Sequence, residues 1–109
     1  MAFDEALAER IRACLDGLAG IEEKKMFGGL SFLLNGNMSV GVIKDELMVR
    51  VGPDAFEAAV ELPGARIMDF TGRPMKGWLV VGGKAIEDDG SLAGWVDRGT
   101  SFAGSLPEK

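Results

Sequence analysis

The chain begins with apolar residues at helical spacing. Phe3, Leu7, Ile11, Leu15 and Leu18 recur every three or four positions, which lays them on one stripe of a helix over residues 3–18. Asp4 stands where an N-cap accepts amide hydrogen bonds, and Glu5 suits the positive end of the helix dipole. Gly17 and Gly20 supply the stop. The period then falls to two. Residues 22–27 read as a first strand, with Glu23 and Lys25 toward water and Lys24 or Met26 turned inward. Leu30, Phe32 and Leu34 alternate along a second strand, Met38, Val40 and Val42 along a third, and Leu47, Val49 and Val51 along a fourth. Between them, Gly28-Gly29 permits a bulge or a change of direction. Asn35-Gly36 is the pair favoured by a two-residue type I′ turn, and Lys44-Asp45-Glu46 reads as a polar turn.

Gly52-Pro53-Asp54 ends this meander and starts a short helix over about 53–61, which Pro63-Gly64 closes. Residues 66–70 read as a short extended piece and 71–74 as a loop. Trp78 to Val81 is a strand too apolar on both faces to be fully solvated. A last helix starts near Asp88-Asp89, with Ser91 also able to cap, and carries Leu92, Trp95, Val96, Phe102 and Leu106 at helical spacing. Gly94, Gly99 and Gly104 weaken it by up to about 1 kcal/mol each relative to alanine. The order α-β-β-β-β-α-β-β-α implies an α+β domain: two layers, an antiparallel sheet of five to six strands with helices on one face.

At 109 residues the expectation is a single domain, 1–109. No apolar run approaches the length needed to span a bilayer. Nor does the N-terminus read as a signal peptide, because Asp4 and Glu5 follow Phe3 at once. A lone Cys14 suits a reducing cytoplasm. Seventeen acidic residues outnumber twelve basic ones, a net charge of −5 that argues against direct nucleic-acid binding. Histidine and tyrosine are absent, so zinc sites of the usual kind and serine or cysteine triads are excluded. No cofactor is implied, and the expectation is a protein that is not an enzyme.

Four groups of residues merit a functional reading beside a plain one. Gly28-Gly29 beside Lys24 and Lys25 has the ingredients of a phosphate cradle, but the glycines lead into a strand rather than a helix, which favours a bulge or turn. Arg50, Arg66, Arg73 and Lys76 near Trp78 would make an anion or peptide site if they converge, and solvated side chains if they do not. The binding candidates are therefore Lys24, Arg50, Arg73, Lys76 and Trp78. The acidic pairs Glu22-Glu23, Asp45-Glu46 and Asp88-Asp89 read as strand neighbours, turns and caps before they read as magnesium ligands. On the second sheet face, Leu33, Ile43 and Met48, with Leu79 or Val81, are candidates for an exposed patch through which two copies pair.

Met26-Phe27-Gly28-Gly29, the Asn35-Gly36-Asn37-Met38 turn, Leu47-Met48-Val49-Arg50 and Met75-Lys76-Gly77-Trp78 occur in an order that resembles the TfoX N-terminal domain family, associated with bacterial competence regulators. The likeness runs from about Ile11 to Leu106. It implies a curved antiparallel sheet against helices, similar to the secretion-chaperone architecture, and no established catalytic activity. Competence regulators of this kind carry a second, C-terminal helical domain, for which a chain ending at Lys109 leaves no room, so the expectation is a stand-alone TfoX-like domain. The functional expectation is a cytoplasmic, non-catalytic regulatory or protein-interaction module, paired with itself or with a protein partner. The alternative is a small-molecule or anion-binding protein, or an enzyme on a phosphorylated ligand, using a basic cleft around Arg50 and Lys76.

Overall fold

Alternation of apolar side chains places one row of each strand against the helices, and the structure builds outward from that row. The computed structural model describes residues 3–26, 28–68 and 77–108. Its elements are α1 (Glu5–Leu15), β1 (Ile21–Met26), β2 (Gly29–Leu34), β3 (Asn37–Ile43), β4 (Glu46–Arg50), α2 (Phe56–Val60), β5 (Ala65–Ile67), β6 (Trp78–Val81), a 3-10 turn (Gly83–Ile86) and α3 (Asp89–Gly104). The strands form one antiparallel sheet of six in the order β1-β2-β3-β4-β6-β5, so the fold is the α+β arrangement that the element order implies. Among the described residues, no helix is long and apolar enough to cross a membrane.

Local signals set most element ends. Asp4 caps α1, its Oδ1 accepting from the Ala6 and Leu7 amides at 2.9 and 3.2 Å. The helix is shorter than its apolar stripe. Phe3 lies outside it in a bridge to Lys44, and Leu18, beyond Gly17 at φ +91°, is 47% exposed. Asn35 and Gly36 both take positive φ, 53° and 84°, as a type I′ turn requires. At the glycine pair Met26 pairs with Gly29 at the end of the antiparallel β1–β2 ladder, and Gly28 takes φ +75°, so the glycines serve a change of direction. Pro53 and Asp54 form a turn before α2 rather than its first turn, and among the described residues no side chain caps α2. The extended piece expected over 66–70 begins at Ala65 and is named only to Ile67. Residues 69–76, and with them the expected 71–74 loop, lie outside the described residues. Asp88 caps α3, accepting from the Ser91 amide at 2.9 Å and its hydroxyl at 2.8 Å. This contact holds the Asp88 carboxyl below its usual range, because the Ser91 amide and then its hydroxyl hydrogen-bond the charged form.

Register shows what periodicity alone misses. β2 and β3 slip by one residue between Phe32 and Leu33: Phe32 faces Val40, but Leu33 faces Met38. Ser39 is therefore the extra residue of a β-bulge, and its buried hydroxyl donates to the Phe32 carbonyl at 2.8 Å. The bulge turns Met38 to the face away from the helices, against the expected alternation with Val40 and Val42, and brings Asn37 to the helix side. There Asn37 is buried and donates to the Pro107 carbonyl at 3.0 Å. In β1, Glu23 and Lys25 are exposed as expected, and Lys24 is exposed as well rather than turned inward. Ile21, Glu23 and Lys25 lie opposite Leu34, Phe32 and Leu30 on the helix side, and Lys24 lies opposite Ser31 on the other. Glu23 is accommodated because Arg12 of α1 reaches it with two hydrogen bonds, 2.7 and 2.8 Å. The guanidinium holds the Glu23 carboxyl below its ordinary range.

The main core joins Phe32, Val40, Val42, Leu47, Val49, Leu79 and Val81 of the sheet to Ile11 of α1 and Leu92, Trp95 and Val96 of α3. α3 lies close over the bulge: a Cβ at Gly99 would stand 2.5 Å from the Ser39 carbonyl oxygen. Across the sheet a smaller cluster buries Met48, Met68 and Val80, with Ile43 and Trp78 packed against it.

Candidate functional site

Arg50 is the last residue of β4, where Gly52 and Gly77 shape the chain around it. The Gly77 carbonyl accepts from the amides of Val51 and Gly52 at 2.8 and 3.1 Å. Gly52 takes φ +86°, and a Cβ there would enter the Phe102 ring at 2.3 Å, so glycine lets α3 close down on this corner. Gly77, at φ +93°, leaves similar room against Gly52. Arg50 faces Trp78 directly across the β4–β6 ladder. Its guanidinium carbon lies 5.6 Å from the Trp78 ring centroid and 5.2 Å from that of Phe102. Two aromatic faces thus brace one cation, a geometry worth about 0.5–2 kcal/mol per contact depending on desolvation. Among the described residues Arg50 joins no ion pair.

The other sequence candidates separate from this corner. Lys24 is on the same face but on β1, three strands away, roughly 14 Å at the usual strand spacing, so it does not join Arg50. Arg73 and Lys76 lie outside the described residues, as does Phe27 of the family motif. Arg66 is held by Glu46, through a pair of hydrogen bonds of which one measures 2.7 Å. That contact lowers the Glu46 carboxyl and raises the Arg66 guanidinium. Glu23 is likewise paired with Arg12, and Asp88 with Ser91, so these acids have structural duties. Among the described residues no three His, Cys, Asp or Glu side chains gather to hold a metal. The Cys14 thiol is half-buried and pushed up by desolvation, away from the reactive range.

The expected outer patch does not form from the residues named for it. Met48 faces away from the helices but is 0% exposed, enclosed with Met68 and Val80, and its methyl group fills the space beside Gly41. Leu33 pairs with Met38, five residues along β3 from Ile43, which is about 17 Å at a strand's rise. Both are half-buried, at opposite ends of the face. Leu79 and Val81 belong to the main core, and Val80 and Trp78 take the outer positions of β6. Phe102 is the member of the Arg50 corner that the sequence assigns only to core packing. Its spacing of seven from Trp95 is the available signal, but it gives a helix face rather than a partner.

No curated protein and no solved structure matches the chain significantly. The family model described as the TfoX N-terminal domain matches residues 13–103. That match spans α1 from Ala13 through β6 and α3 to Ala103, taking in the bulged hairpin and the Arg50 corner, and the chain belongs to the TfoX N-terminal domain family.

Proposed function

We propose that this chain is a non-catalytic interaction module that docks an acidic segment of a partner protein at the Arg50 corner. The observation that carries the reading is the Arg50 guanidinium, braced by Trp78 and Phe102 at 5.6 and 5.2 Å with no carboxylate paired to it among the described residues. Arginine and tryptophan are the side chains that most often dominate interface energetics, and a braced guanidinium loses little conformational freedom on meeting a planar carboxylate. The contrast with Arg66 and Arg12 supports it, since the fold uses both of those cations internally. The alternative, a phosphorylated ligand, would share the same cation.

An array of short peptides in Asp/Glu, phosphoserine and Asn/Gln versions separates these readings. Carboxylate peptides should bind the wild-type chain and weaken by about tenfold or more with Arg50→Ala, the loss of a typical anchor. Arg50→Lys keeps the charge, gives up the planar stacking, and should fall between. Preference for the phosphoserine versions would move the assignment to the alternative. Equal binding by wild type and Arg50→Ala would remove the corner from consideration.

A further inference from the structure

The outer surface of α3 holds a depression that neither the core nor the Arg50 corner explains. It has a volume of about 330 Å³ and lies between Leu62, Pro63 and Ala85 on one side and Gly94, Trp95 and Arg98 on the other. That size is at the small end of ligand pockets, which run from about 300 to 1,000 Å³. Its apolar wall and indole would take a flat hydrocarbon body. Among the described residues Arg98 is the one charged side chain in the lining, and its guanidinium carbon lies 5.2 Å from the Trp95 ring centroid. Within that same set Arg98 joins no ion pair.

Gly94 adds an independent argument. A glycine inside a helix destabilises it relative to alanine, so its presence calls for a packing reason. At Gly99 the reason is internal, because a Cβ would strike the Ser39 carbonyl. At Gly94 a Cβ would meet no atom of the described residues within 4 Å. The fold does not require glycine there, and what the missing Cβ leaves is bare helix backbone in the wall of the depression. The acids nearby set a direction. Asp88 is occupied by Ser91 and Asp89 pairs with Arg10 at the N-terminal end of α3, so an anionic group is favoured only at the Arg98 end. The depression on the other side of Gly94 is lined by Asp16 and Asp97 and repels an anion.

We propose that this depression is a binding site for a small organic acid, a single carboxylate on a flat apolar body about the size of a benzene ring. The carboxylate meets Arg98, and the ring lies against Trp95 and the bare backbone at Gly94. The site is separate from the Arg50 corner and stands or falls without it.

Benzoate is the probe, with benzamide as its neutral counterpart, titrated at constant ionic strength into the 15N-labelled full chain. Saturable shifts centred on the Gly94 amide, the Trp95 indole N–H and the Arg98 amide are expected, in the low-millimolar range, with benzamide about tenfold weaker for loss of the charged hydrogen bond. Gly94→Ala should raise Tm and abolish these shifts, which separates loss of the site from loss of the fold. Arg98→Ala should bind benzoate no better than benzamide, and Arg50→Ala should bind as wild type. Absence of saturable shifts, shifts centred elsewhere, or undiminished binding by Gly94→Ala or Arg98→Ala would overturn the assignment.

Discussion

Two glycines in one helix should answer alanine in opposite directions. At Gly99 the new Cβ would lie 2.5 Å from the Ser39 carbonyl oxygen and 2.6 Å from Val40 Cγ1. Both distances are roughly 1 Å inside the ~3.5 Å at which non-bonded heavy atoms sit comfortably. Ser39 is the bulged residue of β3, and its neighbours are fixed in the ladder, so α3 must lift. Overpacking of this kind costs about 1–3 kcal/mol, and a struck backbone carbonyl belongs in the upper half of that range. Better helix propensity offsets up to about 1 kcal/mol, leaving a net loss of about 1–2 kcal/mol. At roughly 4–8 °C per kcal/mol for a domain near this size, Tm should fall by about 4–16 °C. At Gly94 an added methyl group would find no atom of the described residues within 4 Å, so alanine there should gain up to about 1 kcal/mol and raise Tm. Urea denaturation followed by far-UV circular dichroism gives both values on one scale. A Gly99→Ala chain as stable as wild type would mean that α3 does not rest on the bulge.

Further substitutions probe single contacts. Asp4→Ala removes the acceptor for the Ala6 and Leu7 amides and should cost about 1 kcal/mol in urea denaturation, with no loss showing that water caps α1 equally well. Ser31 Oγ is buried without a hydrogen-bond partner among the described residues, so Ser31→Ala should be neutral or stabilising by up to about 1 kcal/mol; a clear loss would reveal a partner. Glu23 and Glu46 are held below the ordinary carboxyl value of 4.5 by Arg12 and Arg66, so each contributes stability that is present above that pH and lost as pH falls through the lowered folded value. The pairs are partly exposed, so each effect should be no more than about 1 kcal/mol after screening. Glu23→Gln should flatten part of the acid limb of a stability–pH profile, and an unchanged slope below pH 4.5 would show that Arg12 contributes nothing there.

Much of the fold is legible in the sequence because its signals are local. Asp4, Asn35-Gly36 and Asp88 each act on amides or dihedrals within a few residues, and each marks the turn or cap it should. Glu23 shows where that legibility stops. It is exposed, as a charged residue in an edge strand should be, but it stands in the helix-side row, where Arg12, eleven residues earlier, receives it. Met38 departs from expectation: one extra residue at Ser39 inverts the face of everything beyond it, and nothing in the alternation reveals the insertion. Of the candidate site, Arg50 and Trp78 are legible as a basic and an aromatic residue worth attention. Phe102 is not, since its contact with Arg50 spans fifty-two positions of chain and depends on Gly52 admitting its ring.

By itself the sequence determined the element order, the α+β class, the family, and the absence of histidine-based chemistry, because period, turn residues and composition are properties of short stretches or of the whole count. Only the tertiary structure decided the strand order, the bulge, the burial of Met48 and the choice among cations. Strand order follows from which apolar rows cover one another, and it alone sets which charges meet: Arg12 and Arg66 are taken up by glutamates, whereas Arg50 and Arg98 rest on aromatic rings.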